Sequence, residues 1–377
     1  MFSPHGILDY KGNLRSVRID TDMIQLITPK LIILPVLAAA VTALLTPSVR
    51  NFSHKVGAVA IPSIRKIHKN ITPSGGGLAI FAGFLSAALF FNRTSPEILG
   101  FLIGGTVITG IGLLDDIFDL PPATKFFGQI LAALIVIYSG VRIEFVGDPN
   151  GGGLLNLGFL SLPFTFLWIV GIANAINFID GLDGLAAGVA GISATTLGAV
   201  ALLTGRYDAA VLAFTLAAAS LAFIPFNFSD KNKIFMGDSG SNFLGYSLAV
   251  ISILGMVKVA AVFSMLIPIL ILAIPILDTA FAIIRRTLAG KSPFQPDSLH
   301  LHHRIMNRGY SQKQTTFIIY GVNIILGIIA VLSTQMSNGQ ALYTFCAVVV
   351  TLVLSAWIMG LIKVERKGHF SSSSLRK

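Results

Sequence analysis

Charged residues are scarce in this chain. Asp, Glu, Lys and Arg make up only 12% of its 377 residues, whereas a soluble globular domain carries about 25% because its surface faces water. Intrinsic disorder is excluded as well, since it requires low hydrophobicity and high charge, and 54% of this sequence is hydrophobic. The composition therefore predicts an integral membrane protein.

Cysteine is nearly absent too. Cys346 is the only cysteine and lies within an apolar run, so the sequence excludes an intramolecular disulfide and a thiolate metal site. Internal repeats are also lacking, and the only low-complexity tract is the serine run at 371–374. A repeat architecture is therefore not expected.

Long apolar runs, in contrast, are abundant. A membrane-spanning helix needs about 20 mostly apolar residues, and prolines are tolerated there because neighbouring helices satisfy the freed backbone groups. Eleven runs are predicted to span the membrane: 30–47, 77–92, 98–114, 126–140, 157–176, 184–204, 208–228, 242–256, 259–284, 315–334 and 340–362. The sequence thus predicts an all-α, polytopic membrane protein with about 11 transmembrane helices. One multi-span domain (30–363) is expected between a polar leader (1–29) and a basic, serine-rich tail (364–377).

The distribution of basic residues predicts the orientation. The formal net charge is +10, and 19 of the 27 lysines and arginines fall in the tail and in alternate connections on its side. Only four fall in the opposite connections. The positive-inside rule therefore predicts a cytoplasmic C-terminus in the cell inner (plasma) membrane. Much of the basic excess follows from topology, so no nucleic-acid partner is expected.

The N-terminal 30 residues carry the other four basic residues and would lie outside, against the positive-inside rule. One hypothesis is that Met23 is the true start. Mass spectrometry of the intact protein tests it, because a mass that includes residues 1–22 would contradict it.

Acidic residues are costly inside a bilayer and are functional candidates there. Asp115 and Asp116 end the third run, where a carboxylate faces the negative end of the helix dipole and makes a poor cap. Asp180 and Asp183 follow the fifth run beside glycines, and turn residues are the simpler alternative for them. Asp238 precedes the eighth run, where an N-cap is the alternative. All five are predicted to lie at the cytoplasmic face.

Taken together, these carboxylates indicate more than capping and turns. Asn174, Asn177 and Asn242 are predicted to lie on the same face. Crowded carboxylates repel one another unless a cation lies among them, and Mg²⁺ binds through one or two carboxylates together with substrate phosphates. The pattern therefore predicts a Mg²⁺ site.

A basic group is predicted opposite the acids. Lysines in cytoplasmic loops are also expected from topology alone. The spacing of the histidines is not usual for structural zinc, and phosphate binding by histidine and arginine fits better. The group comprises Lys69, Lys125, His300, His302, His303 and Arg304. The run Gly75–Gly77 could cradle a phosphate or let helices approach closely. Acids, a cation and basic groups together suggest phosphoryl chemistry, which depends on positioning and charge neutralisation.

Five motifs carry a family resemblance, in family order from about residue 65 to 315: HKNITPSGGGLAIF, GLLDDIFDLPPATKFFGQ, NAINFIDGLDGLAAG, IFMGDSGSNFLGY and PDSLHLHHRIMNRGYSQKQT. The chain resembles the polyprenyl-phosphate N-acetylhexosamine-1-phosphate transferases. Its HLHHR form is similar to the branch that transfers GlcNAc-1-phosphate. The phospho-MurNAc-pentapeptide translocases tend towards three consecutive histidines, which Leu301 interrupts here.

The resemblance implies that UDP-HexNAc, in the first place UDP-GlcNAc, reacts with undecaprenyl phosphate to give undecaprenyl-diphospho-HexNAc and UMP. It implies a glycan of the O-antigen, common-antigen or teichoic-acid type, with Mg²⁺ or alternatively Mn²⁺ as cofactor. The peptidoglycan translocase and, from another class, a secondary transporter are the alternatives. The partners are the UDP-sugar, the lipid phosphate and the bilayer, and a homodimer is an open alternative to a monomer.

The resemblance also implies residue roles. Asp238 and Asn177 would ligate the metal. Asp115 and Asp116 would lie on the lipid-phosphate side, with Asp115 the candidate base. A phosphate monoester is already largely dianionic at pH 7, so Asp115 could instead orient the phosphate. The substrate-binding residues would be Lys125 for phosphate, Phe235 for stacking on uracil, Asp183 for its edge, Lys69 and Asp180 for the nucleotide side, and His300, His302, His303 and Arg304 for pyrophosphate or sugar.

Overall fold

The computed structural model describes residues 7–8, 14–15, 21–61, 71–91, 95–147, 154–255, 265–290, 292 and 300–360, and its account of side chains begins at residue 29. Within these ranges the chain is almost entirely helical. The helices are α1 (Thr21–Val56), α2 (Gly77–Ala88), α3 (Pro96–Phe118), α4 (Pro122–Tyr138), α5 (Ser161–Ile179), α6 (Leu185–Leu203), α7 (Tyr207–Asn227), α8 (Gly237–Leu254), α9 (Leu266–Ile271), α10 (Ala273–Leu288), α11 (Leu301–Met306), α12 (Gln312–Ser333) and α13 (Asn338–Ile358).

Short antiparallel strand pairs lie before α1, between α1 and α2, and between α4 and α5. They are β1 (Ile7–Leu8) with β2 (Leu14–Arg15), β3 (Val59–Ala60) with β4 (Thr72–Pro73), and β5 (Phe145–Gly147) with β6 (Leu154–Asn156). Among the described residues, seven helices are long and apolar enough to cross a membrane. They comprise residues 29–56 of α1, all of α3, α6, α7, α12 and α13, and α5 with the turn before it. The expectation of an all-α membrane protein is therefore confirmed.

Helix α8 forms the centre of the bundle. Every residue from Ser239 to Ile253 is buried, and the helix packs against α3 and α5. Small residues permit this packing: a Cβ at Gly245 would overlap the backbone of Ala173 in α5. Close approach of this kind replaces the hydrophobic effect as the main attraction between helices in a membrane. The start of α8 is therefore held firmly against its neighbours.

The predicted span over 259–284 is interrupted in the part of that range that the structure describes. Helix α9 ends at Ile271 and α10 begins at Ala273, with Leu272 between them. Pro275 explains the break, because its nitrogen carries no hydrogen to donate to the carbonyl of Ile271 four residues earlier. The second half, α10, carries Asp278 and leads to the histidine-bearing segment.

The polar groups lie at two separate ends of the bundle. The start of α3, the end of α4 and the turn between α6 and α7 enclose a cavity of about 470 Å³, lined by Glu97, Arg142 and Arg206 among others. The C-terminal end of α3, with Asp115, lies at the other end of that helix. The candidate site described below is built at that second end.

Candidate active site

Lys125 forms the centre of the site. Its Nζ lies 3.1 Å from Asp115 Oδ2 and 3.1 Å from Asp238 Oδ2. The three residues come from the end of α3, the first turn of α4 and the first turn of α8. One ammonium thus bridges two carboxylates from separate helices. The predicted convergence of these acids with Lys125 is observed.

The turn between α3 and α4 places Asp115 and Lys125 side by side. Asp119 adopts a left-handed conformation with φ of 50° and ends α3, a conformation that Asp tolerates better than most residues. The Leu120 N–H donates to Asp115 Oδ1 at 2.9 Å, and Pro122 starts α4. One oxygen of Asp115 therefore stabilises the turn, and the other faces Lys125.

Asn177 joins the same cluster from the last turn of α5. Its Nδ2 donates to Asp238 Oδ1 at 3.2 Å and to Ser241 Oγ at 2.8 Å. Asp238 is therefore contacted on one oxygen by an amide and on the other by a lysine. A rotation of the Asn177 amide would present its oxygen to the same position.

Asp116 points away from Lys125 and stabilises the start of α8. Its two oxygens accept hydrogen bonds from Ser74 Oγ (3.0 Å), Asp238 N (3.0 Å), Ser239 N (3.2 Å) and Ser239 Oγ (2.8 Å). A carboxylate has about four acceptor sites, so these donors fill them. The N-cap alternative for Asp238 is thus wrong: Asp116 satisfies the helix N-terminus from another helix, which frees the Asp238 side chain for the site.

For the run Gly75–Gly77, the structure shows close approach between packed segments, which was the alternative to a phosphate cradle. The N–H groups of Gly76 and Gly77 donate to the carbonyls of Phe235 and Met236 at 2.9 and 2.8 Å. A Cβ at Gly77 would overlap the backbone of Gly240. These N–H groups are therefore engaged by protein carbonyls, and the run fixes the segment that carries Phe235 and Asp238.

A cavity of about 530 Å³ opens beside this cluster. Six of the predicted site residues line it: Asn177, Asp180, Asp183, Phe235, Asp238 and His303. Burial, followed by the charges of Asp238, Asp116 and Asp183, raises the pKa of Asp180 well above its usual range. The cavity is thus strongly acidic at one end, and a cation would relieve this repulsion.

Asn227 links the two loops of this cavity and was missed from the sequence. Its Oδ1 accepts from the Gly184 N–H, and its Nδ2 donates to the Ile234 carbonyl at 2.8 Å. Asp183 precedes the first of these contacts, and Phe235 follows the second. An asparagine ending an apolar helix gives only a weak signal in sequence.

The sequence likewise gives no specific signal for Lys233, because the positive-inside rule already expects lysines in that loop. Its Nζ lies 2.6 Å from Asp183 Oδ2 and 5.3 Å from the ring centroid of Phe235. Its backbone carbonyl accepts from Arg50 Nε at 3.3 Å. Lys233 thus contacts both residues that the family resemblance assigns to the base.

The histidine segment is attached to α10 through Asp278. His300 Nδ1 lies 2.8 Å from Asp278 Oδ2, and the Leu301 N–H donates to Asp278 Oδ1 at 2.7 Å. Both side chains are buried. Asp278 therefore orients His300 and stabilises the start of α11.

The other members of the basic group lie close by. The rings of His302 and His303 are 4.2 Å apart, and His302 packs against Gly181. Burial, followed by the neighbouring charge of His303, lowers the pKa of His302 to about 3, so its imidazole is neutral at pH 7. Arg304 is half-buried on α11. Lys69 lies outside the described residues.

A layer of three amides lies one helical turn beneath the site. Gln129 Nε2 donates to Asn242 Oδ1 at 2.8 Å, and Asn174 Nδ2 donates to Gln129 Oε1 at 2.7 Å. Gln129 lies four positions after Lys125, and Asn242 lies four positions after Asp238. Asn174 lies three positions before Asn177. The layer joins α4, α5 and α8, so it fixes the spacing of the side chains above it.

The contacts of Asp116 predict an effect on stability. Replacing Asp116 by Asn should lower the free energy of unfolding by about 2–4 kcal/mol, because buried donors lose an acceptor at about 1–3 kcal/mol each. Thermal unfolding of the purified protein in detergent measures this. Asp119→Asn, an exposed change at the end of the same helix, should leave the transition in place. A lost activity with unchanged unfolding would instead put Asp116 in direct contact with substrate.

The helical fold and this acid-and-lysine site fit a membrane-bound transferase. The family model described as "Glycosyl transferase family 4" matches residues 98–256, which contain Asp115, Lys125, Asn177 and Asp238. Together with relatives that are 37% identical over most of the chain, this match shows that the chain belongs to the polyprenyl-phosphate N-acetylglucosamine-1-phosphate transferases of that family. The resemblance seen in the five motifs is confirmed.

Individual relatives cover most of the chain. A probable undecaprenyl-phosphate N-acetylglucosaminyl 1-phosphate transferase from Bacillus subtilis is 37% identical over 325 residues, which are 86% of this chain and 90% of the relative. A decaprenyl-phosphate N-acetylglucosaminephosphotransferase from Mycobacterium tuberculosis is 37% identical over 363 residues, 88% of each chain. An undecaprenyl-phosphate alpha-N-acetylglucosaminyl 1-phosphate transferase from Yersinia pestis is 29% identical, covering 76% of this chain and 80% of the relative.

Proposed function

We propose that this protein transfers GlcNAc-1-phosphate from UDP-GlcNAc to undecaprenyl phosphate, releasing UMP and starting a lipid-linked glycan of the cell envelope. The observation that carries the proposal is the bridge from Lys125 to Asp115 and Asp238 beside the 530 Å³ cavity. The names of relatives 37% identical over most of the chain support the same sugar and a polyprenyl-phosphate acceptor, which is undecaprenyl phosphate for the Bacillus subtilis relative and decaprenyl phosphate for the Mycobacterium tuberculosis relative.

The reaction forms one bond and breaks one. An oxygen of the lipid phosphate attacks the phosphorus that carries the sugar, and the bond from that phosphorus to the bridging oxygen breaks, so UMP leaves with the electron pair. Lys125 holds the incoming phosphate and neutralises its charge. Asp115 orients Lys125 and the attacking phosphate. Such transfers depend on alignment and charge neutralisation more than on covalent chemistry by the protein.

The oxygen atoms of the side chains at this site fit a divalent cation such as Mg²⁺, with Mn²⁺ as the alternative. Asp238, the amide of Asn177 and the crowded Asp180 supply oxygen ligands of the kind Mg²⁺ prefers. Over the described residues, no three His, Cys, Asp or Glu side chains form a ready-made metal cluster. This suits Mg²⁺, which takes few protein ligands and completes its shell with water and phosphate. When bound, it would neutralise charge on the diphosphate of the donor and on the UMP that leaves.

We propose that this chemistry takes place at the cytoplasmic face. Arg142 and Arg206, which the basic-residue count assigns to the outer connections, lie with Glu97 at the end of the bundle away from Asp115. We propose the plasma-membrane orientation with about 11 spans, the single domain 30–363 and a cytoplasmic tail 364–377. UDP-sugars are made in the cytoplasm, and lipid phosphate reaches the site from the bilayer. A homodimer stays an open alternative.

A comparison of donors tests the proposal. Purified protein is incubated with undecaprenyl phosphate, Mg²⁺ and either UDP-GlcNAc or UDP-MurNAc-pentapeptide, and released UMP is measured. We expect UMP release with UDP-GlcNAc as donor and none with UDP-MurNAc-pentapeptide, and EDTA should suppress that release. Turnover of the pentapeptide donor would favour the translocase. Turnover that is insensitive to EDTA would contradict the proposed role of a divalent cation. Counterflow of UDP-GlcNAc into liposomes without transfer would favour a transporter.

A further inference from the structure

Lys233 lines the cavity of about 530 Å³ beside the candidate active site. It is the only lysine or arginine among the described residues that line this cavity, whereas three aspartates line it. Its ammonium contacts the carboxylate of Asp183 and lies over the ring of Phe235. A hydrogen-bond donor and an acceptor therefore stand side by side next to an aromatic face.

This pair matches the edge of uracil. The Watson–Crick edge of that base presents a carbonyl, an N–H and a second carbonyl, and proteins read such an edge by hydrogen bonds while stacking the ring on an aromatic side chain. The Asp183 carboxylate can accept from the N–H, and the Lys233 ammonium can donate to the adjacent carbonyl. Cytosine carries a lone pair where uracil carries the N–H, so it would face the carboxylate with a second acceptor.

We propose that Lys233 donates to a uracil carbonyl and so helps to select the nucleobase of the donor, beside Asp183, which the family resemblance already assigns to the edge of that base. The inference rests on the proposed function and adds the residue that selects its uridine nucleotide.

A purely structural role for the ion pair explains less. Both side chains are partly exposed, 28% for Lys233 and 20% for Asp183, and exposed pairs add little to folding. Asn227 already joins the two loops through backbone groups. The loops therefore do not need the Lys233 contact to hold their positions.

Binding of free nucleotides gives the sharpest test, because it needs no turnover. Calorimetry measures UMP and CMP binding to the full-length wild type and to Lys233→Met and Lys233→Arg. Losing a hydrogen bond from a charged donor should weaken UMP binding by about 10- to 100-fold. CMP binding should change much less, so the preference for UMP should shrink. Lys233→Arg keeps a charged donor and should stay within a few-fold of wild type.

Steady-state kinetics then separates base recognition from chemistry. In Lys233→Met, the KM for UDP-GlcNAc should rise by a similar factor, while kcat and the KM for undecaprenyl phosphate stay close to wild type. The matched control is Lys231→Met, an exposed change two residues away in the same loop.

Each outcome decides the inference. Unchanged UMP binding in Lys233→Met overturns it, and so does an equal loss of UMP and CMP binding, which would indicate contact with phosphate. If Lys233→Met fails to fold, weakened UMP binding in a folded Lys233→Arg would also contradict it, because that variant keeps the donor. Wild-type protein that binds UMP but releases none from UDP-GlcNAc would contradict the proposed function while leaving the base-reading pair supported.

Discussion

Replacing Asp238 by Ala should abolish UMP release from UDP-GlcNAc and undecaprenyl phosphate in the presence of Mg²⁺. The change removes the carboxylate that contacts both Lys125 and Asn177 and that is the proposed metal ligand. Loss of one preorganised electrostatic group typically costs about 10²–10³ in rate, and loss of the cation as well should exceed that. A coupled assay for UMP measures the residual rate.

The matched control for Asp238→Ala is Asp230→Ala, which removes an exposed carboxylate from the same connection between α7 and α8. It should leave turnover close to wild type. The start of α8 depends on Asp116 rather than on the Asp238 side chain, so Asp238→Ala should fold normally. Near-normal turnover in a folded Asp238→Ala protein would overturn the metal assignment.

Asp115→Asn should impair turnover far more than it weakens binding of the UDP-sugar. Asp115 contacts Lys125 on the side where the lipid phosphate is proposed to bind, and it is not among the residues that line the nucleotide cavity. We expect kcat to fall by about 10²-fold or more, the usual contribution of a positioned acid or base. The KM for UDP-GlcNAc should change by only a few-fold.

Asp119→Asn serves as the control for this change as well, because Asp119 is exposed and Asn also tolerates its left-handed backbone. UMP binding measured without lipid separates the two steps. If Asp115→Asn lost nucleotide binding as much as turnover, Asp115 would belong to the nucleotide pocket. A pH profile of kcat without the acidic limb of wild type would favour a base over an orienting group.

The sequence predicted most of the site because its spacing follows helix ends. Apolar runs place Asp115, Lys125, Asn177 and Asp238 at ends that a membrane aligns on one face, and the structure brings these four together. The resemblance names Asp115 as the candidate base but puts both adjacent acids on the lipid-phosphate side, whereas successive helical residues point about 100° from each other. Only packing shows that Asp115 faces Lys125 and Asp116 faces α8.

Other features depend on contacts between distant segments, which composition does not record. The engagement of Gly76 and Gly77 by the segment before α8 is one such contact. The pairing of Lys233 with Asp183 joins residues 50 positions apart. Lys233 also had a simpler explanation, because the positive-inside rule already expects lysines in that loop. The sequence does not predict the break at Leu272, because prolines are tolerable within a membrane span.

The layer formed by Gln129, Asn174 and Asn242 also bears on how the membrane stays sealed. Its amides satisfy one another, and Asn242 Nδ2 donates to the Asp238 carbonyl at 3.0 Å. Below it, α8 continues through buried Phe243 and Tyr246. A chain of water molecules entering from the charged end would find few unpaired partners in this stretch. We therefore expect the polar chemistry above to be hydrated from one side, and we expect this layer to limit the passage of protons and ions across the bilayer.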